Sequence, residues 1–489
     1  MSDGIIPDSR EQAEEGILRI PARAAGTVLS DWLTSAGFPL QLPCGGRGIC
    51  GGCSVTLADG RKVRACSFRV PDGGVGVFLP SSGVRVTGAA AVQAPAGAEK
   101  PDMALDIGTT TLELALTAPD GSILSSVTAL NPQIAFGADV LSRISACSEG
   151  KLGELRSSLA VRVNSMIHEL SPSGAGRLFA VGNPTMTHIL CGISPECLGS
   201  YPFKPAFTGR TKLSREDSML DAEVTELLPS VSAFIGSDLV AGLCVSGLGP
   251  GADPGFASRA PVLFSDLGTN GETALIAGGR ILCASAAAGP ALEGAGISCG
   301  TGGVPGAVCS VFPGKGGNAG LGFRTVGGVP PSGICGSGLC DLIACLLDAG
   351  RIDRTGCLSS PGGFALCPGV LLTQKDVRSF QLAQSAVRAA VETLISAAGI
   401  EADDILSAIL AGGLGSRISP ESAIRTGILP RELSGRIRAA GNTALRGAAA
   451  CAAEGFIEKT EETASACETV DLTSSVVFGK AFIGGMIFP

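Results

Sequence analysis

Apolar and polar positions alternate, then recur at helical spacing, through the opening residues. Ile17 to Ile20 reads as a short strand and Val28 to Ala36 as a helix. Ser54–Val55–Thr56–Leu57 and Lys62–Val63–Arg64 read as the arms of a hairpin around Ala58–Asp59–Gly60. Ala89 to Lys100, rich in Ala, Gly and Pro, has no period and reads as a linker. At Met103 a strand enters DIGTTTLELALTAPDGSILS, and at Val262 the same order returns as VLFSDLGTNGETALIAGGRIL. Both run strand, Asp-x-Gly-Thr, strand, turn, strand, about 160 residues apart, which indicates a duplicated fold. Further on, PSGICGSGLCDLIA (Pro331 to Ala344) is a glycine-rich turn entering an apolar helix. AILAGGLGSR (Ala408 to Arg417) is a buried strand running into a double-glycine turn, and Asn442 opens the next helix.

The predicted organisation is a tail over 1–15, a first domain over 16–88, a linker over 89–101, and two lobes over 102–258 and 259–489. The fold class is α/β with an α+β N-terminal part. At 489 residues with 45% hydrophobic content, the chain has room for two or three domains. Mean hydropathy is +0.38, yet no run of about 18 apolar residues occurs, so no membrane span is expected. Met1 to Glu15 is polar and acidic, unlike a signal peptide, and the expected address is cytoplasmic. A net charge of −8 without a basic cluster argues against nucleic acid. Trp32 and Tyr201 are the only residues of their kinds, which leaves little for stacking bases or sugars and puts the weight of binding on backbone.

Of eighteen cysteines, fourteen are scattered from Cys147 onward in apolar or Gly/Ala-rich context and read as small buried hydrophobes. The other four, Cys44, Cys50, Cys53 and Cys66, form C-x5-C-x2-C-x12-C. Gly45, Gly46, Gly48, Gly51 and Gly52 let three thiolates wrap a small cluster, and the hairpin returns Cys66 as the fourth. Zinc ribbons usually set two C-x2-C knuckles apart, and only one such pair is present, so the expected metal group is a [2Fe–2S] cluster near the surface. The spacing resembles ferredoxin-like β-grasp domains fused to larger redox enzymes.

In the paired hairpins, Gly108 and Gly268 admit close backbone approach. Thr109, Thr110, Thr269 and Asn270 offer hydroxyl, amide and N–H groups to phosphate, and Asp106 and Asp266 would hold Mg²⁺ through water. There is no G-x-x-x-x-G-K-[ST]. The pairing resembles the acetate and sugar kinase/Hsp70/actin superfamily, whose nucleotide lies between lobes. That resemblance implies that Gly336 and Ser337 meet the adenosine side, and that Gly412 and Gly413 meet the ribose and α-phosphate.

A narrower resemblance rests on VGNPTMTHILCGISP (181–195), YPFKPAF (201–207), FIGSDLVAG, DLGTNGE, AAAGPALEGAGI (286–297) and CGGRGICGGC. Together these are similar to the reductive activators of corrinoid proteins. The resemblance implies ATP-dependent reduction of Co(II) corrinoid to Co(I) in a methyl-transfer system, with ATP, Mg²⁺ and the cluster as cofactors. It implies a corrinoid protein and an external low-potential electron donor as partners, and leaves a homodimer open.

In this reading Asp106 and Asp266 carry the metal, and Glu272, preferred over Glu293, positions water. Two departures stand out. Only the short linker separates the cluster domain from the ATPase, where relatives can carry a middle domain, and Gln384 occupies a position that is often lysine near the adenosine. The segment Ala284 to Pro290, with Ser285 as its one hydroxyl, reads either as a close-packed turn beneath the ATP site or as a docking face for the corrinoid partner. Sugar or acyl kinases and radical-dehydratase activators share the ATPase fold. The first predict a polar sugar pocket, and the second resemble a subunit-bridging [4Fe–4S] design without a β-grasp domain.

Overall fold

A computed structural model describes residues 13–14, 17–35, 53–78, 85–86, 100–250, 255–314, 320–415 and 417–489. Near the N-terminus, strands Ala13–Glu14, Ile17–Ile20, Val75–Phe78, Ser54–Leu57 and Lys62–Arg64 lie in that spatial order in one sheet. All its pairings are antiparallel. Helix Leu29–Ser35 covers it, and Leu18, Ile20, Leu29, Leu33, Val55, Leu57 and Val77 form a separate small core.

The first large sheet contains β1 (Met103–Ile107), β2 (Thr111–Thr117), β3 (Ile123–Leu130), β4 (Ala175–Gly182) and β5 (Ala222–Leu227), in the order β3-β2-β1-β4-β5, with Thr211–Ser214 as an antiparallel edge strand beside β5. Arg85–Val86 adds an edge strand beside β3, so the segment before the linker joins this sheet. The second contains β6 (Val262–Leu267), β7 (Gly271–Ala277), β8 (Arg280–Ala286), β9 (Ser407–Ala411) and β10 (Ile437–Gly441), in the order β8-β7-β6-β9-β10. In both, the first three strands meander antiparallel and the last two join the first in parallel. The repeated Asp-x-Gly-Thr is therefore a repeat of topology. Each motif lies where its sheet's first strand turns back into the second.

Helix α1 (Leu152–Leu170) packs Leu155, Leu159, Val163 and Ile167 under the first sheet, and α2 (Pro184–Cys191) follows β4. Two helices close the units: α3 (Ser237–Val245) follows β5, and α6, defined here as Thr443–Ala450, follows β10. Between them come α4 (Gly336–Asp348) and α5 (Gln374–Ala398), the latter opened by a Thr373/Asp376 capping box and ended at Gly399 with φ 68°.

The closing helices exchange partners. Leu239 and Leu243 of α3 pack with Phe264, Ala274 and Ile281 of the second sheet, whereas Ala444, Leu445 and Ala448 of α6 pack with Ala104, Ala115 and Phe179 of the first. They cross through glycine: a Cβ on Gly447 would stand 2.2 Å from the Ala241 carbonyl oxygen. The lobes are thus braced against each other by a helix from each. No helix among the described residues is long and apolar enough to cross a membrane.

Candidate active site between the lobes

The two Asp-x-Gly-Thr turns face one another. Thr110 from the first and Thr269 from the second both donate to one oxygen of Glu293, Thr110 Oγ1 at 3.0 Å from Oε2, and their hydroxyls lie 3.5 Å apart. Thr109 is turned inward. Its hydroxyl accepts from Asn183 Nδ2 at 3.1 Å and its carbonyl accepts from the Arg143 guanidinium. Asn183 reaches that position because its own Oδ1 caps α2.

Near the end of its strand Asp106 lies beside Asn442, whose Nδ2 donates to Asp106 Oδ2 at 2.8 Å and to Glu113 Oε2 at 3.0 Å while its Oδ1 caps α6. Asn442 therefore carries the end of the second unit onto the first hairpin. Asp266 lies against Gly412, which has φ +81°; a Cβ there would be 2.2 Å from Asp266 Oδ1. Only glycine fits both the left-handed backbone and that approach.

Five acids crowd this cleft, and burial moves all of them the same way. Desolvation, reinforced by acid neighbours, raises Asp106 well above the ordinary carboxylate range, Asp266 to about 7 and Glu272 well above its usual value. Burial also raises Asp238 to about 6, and raises Glu293 against the opposing pull of its threonine donors and Arg143. Asp238 is among the acids that push the proton affinity of Glu272 up, and Glu272 Oε2 is buried without a partner among the described residues.

Such a set of hard oxygen donors suits a divalent cation. Among the described residues no three His, Cys, Asp or Glu side chains converge for direct ligation of a metal.

The remaining predicted residues separate. Gly336 opens α4 beneath the Pro290–Glu293 turn, where a Cβ would lie 1.6 Å from the Leu292 carbonyl oxygen; Gly336 thus supports the turn that carries Glu293. Ser337 donates to the Cys309 carbonyl at 2.8 Å. Gly413 is exposed, with open space where a Cβ would stand. Gln384 is buried in α5, donates to the Gly485 carbonyl, and has no partner for Oε1 among the described residues. Its hydrogen bond ties α5 to the C-terminal helix α7 (Val476–Gly485) and not to the hairpins.

Of the two readings of residues 284–290, burial favours the close-packed one: Ala284 and Ala286 are buried in β8, and Ser285 pairs with Glu272 across the strand pair. His188 is a core residue stacked on Phe207 at 4.5 Å, and His168 pairs with Asp221 at the surface.

Cys44 and Cys50 lie outside the described residues. Cys53 and Cys66, on either side of the hairpin, bring their sulfurs to 3.1 Å, with Ala65 N donating to the Cys53 carbonyl at 3.1 Å. That separation is far beyond the roughly 2.05 Å of a disulfide. The two sulfurs are therefore adjacent and not joined as a disulfide.

Asp238, Asn183, Arg143 and Glu113 had no assigned role in the sequence. Asp238 and Asn183 lie in FIGSDLVAG and VGNPTMTHIL, and an Asn before an apolar helix was the available signal for a cap. Arg143 and Glu113 gave none, because only folding brings them to the hairpins.

This geometry defines a two-lobed ASKHA-type fold. Residues 260–489 match the C-terminal domain of RACo, the ASKHA domain, and residues 102–250 match the RACo middle region. The expectation that a middle domain is missing is corrected: that region is the segment read above as the first lobe.

The chain is 32% identical over 391 residues to the corrinoid activation enzyme RamQ of Eubacterium limosum, covering 72% of this chain and 64% of that one, so it spans under two thirds of that relative. It is 37% identical over 209 residues to a Methanosarcina barkeri reductase of the Co(II) methylated amine-specific corrinoid protein, covering 38% of this chain and 37% of that one. In structure it is similar to a reductive activator for corrinoid, iron-sulfur protein, with a TM-score of 0.72, 24% identity and 96% of each chain covered, a likeness of fold.

Proposed function

We propose that this protein reductively activates a corrinoid protein, taking Co(II) to Co(I) at the expense of ATP, with electrons entering through an N-terminal [2Fe–2S] cluster. One observation carries the ATP half: two topologically equivalent hairpins, one per lobe, converge with an acid from each, Asp106 and Asp266, at their base. The relatives' names support the corrinoid half, and the Cys53–Cys66 approach supports the cluster.

Hairpin hydroxyls and N–H groups would bind the phosphate oxygens, and Asp106 and Asp266 would hold Mg²⁺ through water, which offsets the charge that burial disfavours. Glu272, with its open Oε2, orients the attacking water. Its raised proton affinity suits it to take up the water's proton as the new bond forms. Water then adds to the terminal phosphorus and the bond to ADP breaks. Cys44, Cys50, Cys53 and Cys66 would hold the cluster of a β-grasp ferredoxin-like domain, whose chemistry is one-electron transfer.

A one-electron step costs about 1.4 kcal/mol per ~59 mV. A complex that binds the Co(I) form about 10⁴-fold better offsets roughly 240 mV, and hydrolysis resets it.

The test is anaerobic mixing with a Co(II) corrinoid protein, ATP and a low-potential reductant, followed by the Co(I) spectrum. Asp106→Ala and Asp266→Ala should each suppress ATP turnover with the visible absorption of the cluster intact. Unchanged turnover in both would refute the nucleotide assignment.

A further inference from the structure

Glu293 holds a position that the hydrolytic scheme leaves unexplained. Its Oε2 accepts hydroxyl donors from both hairpins, Thr110 and Thr269, so one carboxylate oxygen bridges the two lobes by groups offered to phosphate. It is carried on a short turn, Pro290–Glu293, ended by Gly294 in the left-handed region (φ +85°) and wedged against Gly336.

Behind the first hairpin sits Arg143, fully buried. Its guanidinium is spent on uncharged acceptors: the carbonyls of Gly137 and Thr109, Gln133 Oε1 and Met186 Sδ. Among the described residues it forms no ion pair, and a buried cation without one calls for an anion nearby. Asp139 and Glu293 are the acids whose charge it feels. Asp139 is committed to the Ser142 backbone and hydroxyl, at 2.8 and 2.9 Å. Glu293 is the one that reaches the hairpins.

We propose that Glu293 is a specificity-determining residue, an internal stand-in for the terminal phosphate that holds the hairpin hydroxyls until a triphosphate displaces it. The inference rests on the nucleotide reading of the cleft. Carboxylate and phosphoryl oxygens are both anionic acceptors for two hydroxyl donors. The exchange leaves Arg143 facing an anion before and after. A diphosphate, lacking the terminal group, leaves Glu293 in place. A triphosphate cannot share the hydroxyls with it, and so drives the Pro290–Glu293 turn away. The two nucleotides thereby set different arrangements of one segment, which lets the protein tell ATP from ADP.

The experiment is calorimetric titration of the full chain, with Mg²⁺, by a non-hydrolysable ATP analogue and by ADP, for wild type, Glu293→Gln and Glu293→Ala. Removing the competing anion should tighten the triphosphate about tenfold, equivalent to about 1.4 kcal/mol, and leave ADP within about twofold. Equal tightening of both nucleotides, or unchanged or weakened triphosphate binding in both variants, overturns the proposal. If the wild type and both variants, each folded by circular dichroism, bind neither nucleotide, the nucleotide reading itself fails. Should Glu293→Ala not fold, the near-isosteric Glu293→Gln keeps the test, because it retains the side chain's volume while removing the charge that repels phosphate.

Discussion

Replacing Asn442 separates three jobs that one side chain performs. Its Oδ1 accepts from Leu445 N at 2.9 Å, capping α6, and its Nδ2 donates to Asp106 and Glu113 at 2.8 and 3.0 Å. Asn442→Ala loses a cap worth about 1 kcal/mol and two hydrogen bonds worth about 1 kcal/mol each, roughly 3 kcal/mol together. That corresponds to a drop of roughly 6–12 °C in Tm, read by thermal denaturation.

Asn442→Asp keeps the cap but sets a third carboxyl against Asp106 and Glu113. Asp106 already has its proton affinity raised by burial, and the Asn442 bond pulls it back down. Exchanging that donor for an acid raises it further. A carboxyl whose folded pKa exceeds its unfolded value contributes stability that is complete below the unfolded pKa, and that stability is lost as pH rises through the folded pKa. The Tm deficit of Asn442→Asp against wild type should therefore widen between pH 5 and pH 8, and widen more than that of Asn442→Ala, which loses the donor without adding an acid. If Asn442→Asp follows the wild type across that range, the inter-lobe role of Asn442 is wrong.

If Cys44, Cys50, Cys53 and Cys66 hold the proposed cluster, Cys66→Ser and Cys50→Ser should each abolish its visible absorption; zinc bound in place of iron, or iron without acid-labile sulfide, would count against it. Gly447→Ala, a change that usually stabilises a helix by about 1 kcal/mol, should here lower Tm, since its Cβ would meet the Ala241 carbonyl at 2.2 Å. With Asp238 near 6 and Asp266 near 7 in the folded chain against an ordinary value of 3.8, stability without nucleotide should fall as pH rises from about 4 to about 7, and added Mg²⁺ should recover part of it above pH 6. Thermal scans across that range with and without Mg²⁺ decide it. Glu272→Gln should slow ATP turnover by about 10²-fold or more with little change in nucleotide affinity, as measured by steady-state hydrolysis and binding.

The sequence by itself determined what is local. The hairpin arms 54–57 and 62–64, the strands opening at Met103 and Val262, and the helix capped by Asn442 form where period and turn chemistry put them. The duplication was legible too, because Asp-x-Gly-Thr recurs with the same flanking strands, and the two sheets repeat one strand order.

What only the tertiary structure decided is which remote groups meet. Glu293 reaches Thr110 across 183 positions and Asn442 reaches Asp106 across 336, and no periodicity encodes such distances. The exchange of α3 and α6 between sheets was equally invisible, since an apolar helix face specifies that it must be covered without specifying by which sheet. The segment around Ser285 stayed open between two readings for the same reason. A short-side-chained run looks alike on a surface and in a buried strand, and only the strand pairing with Glu272 tells them apart.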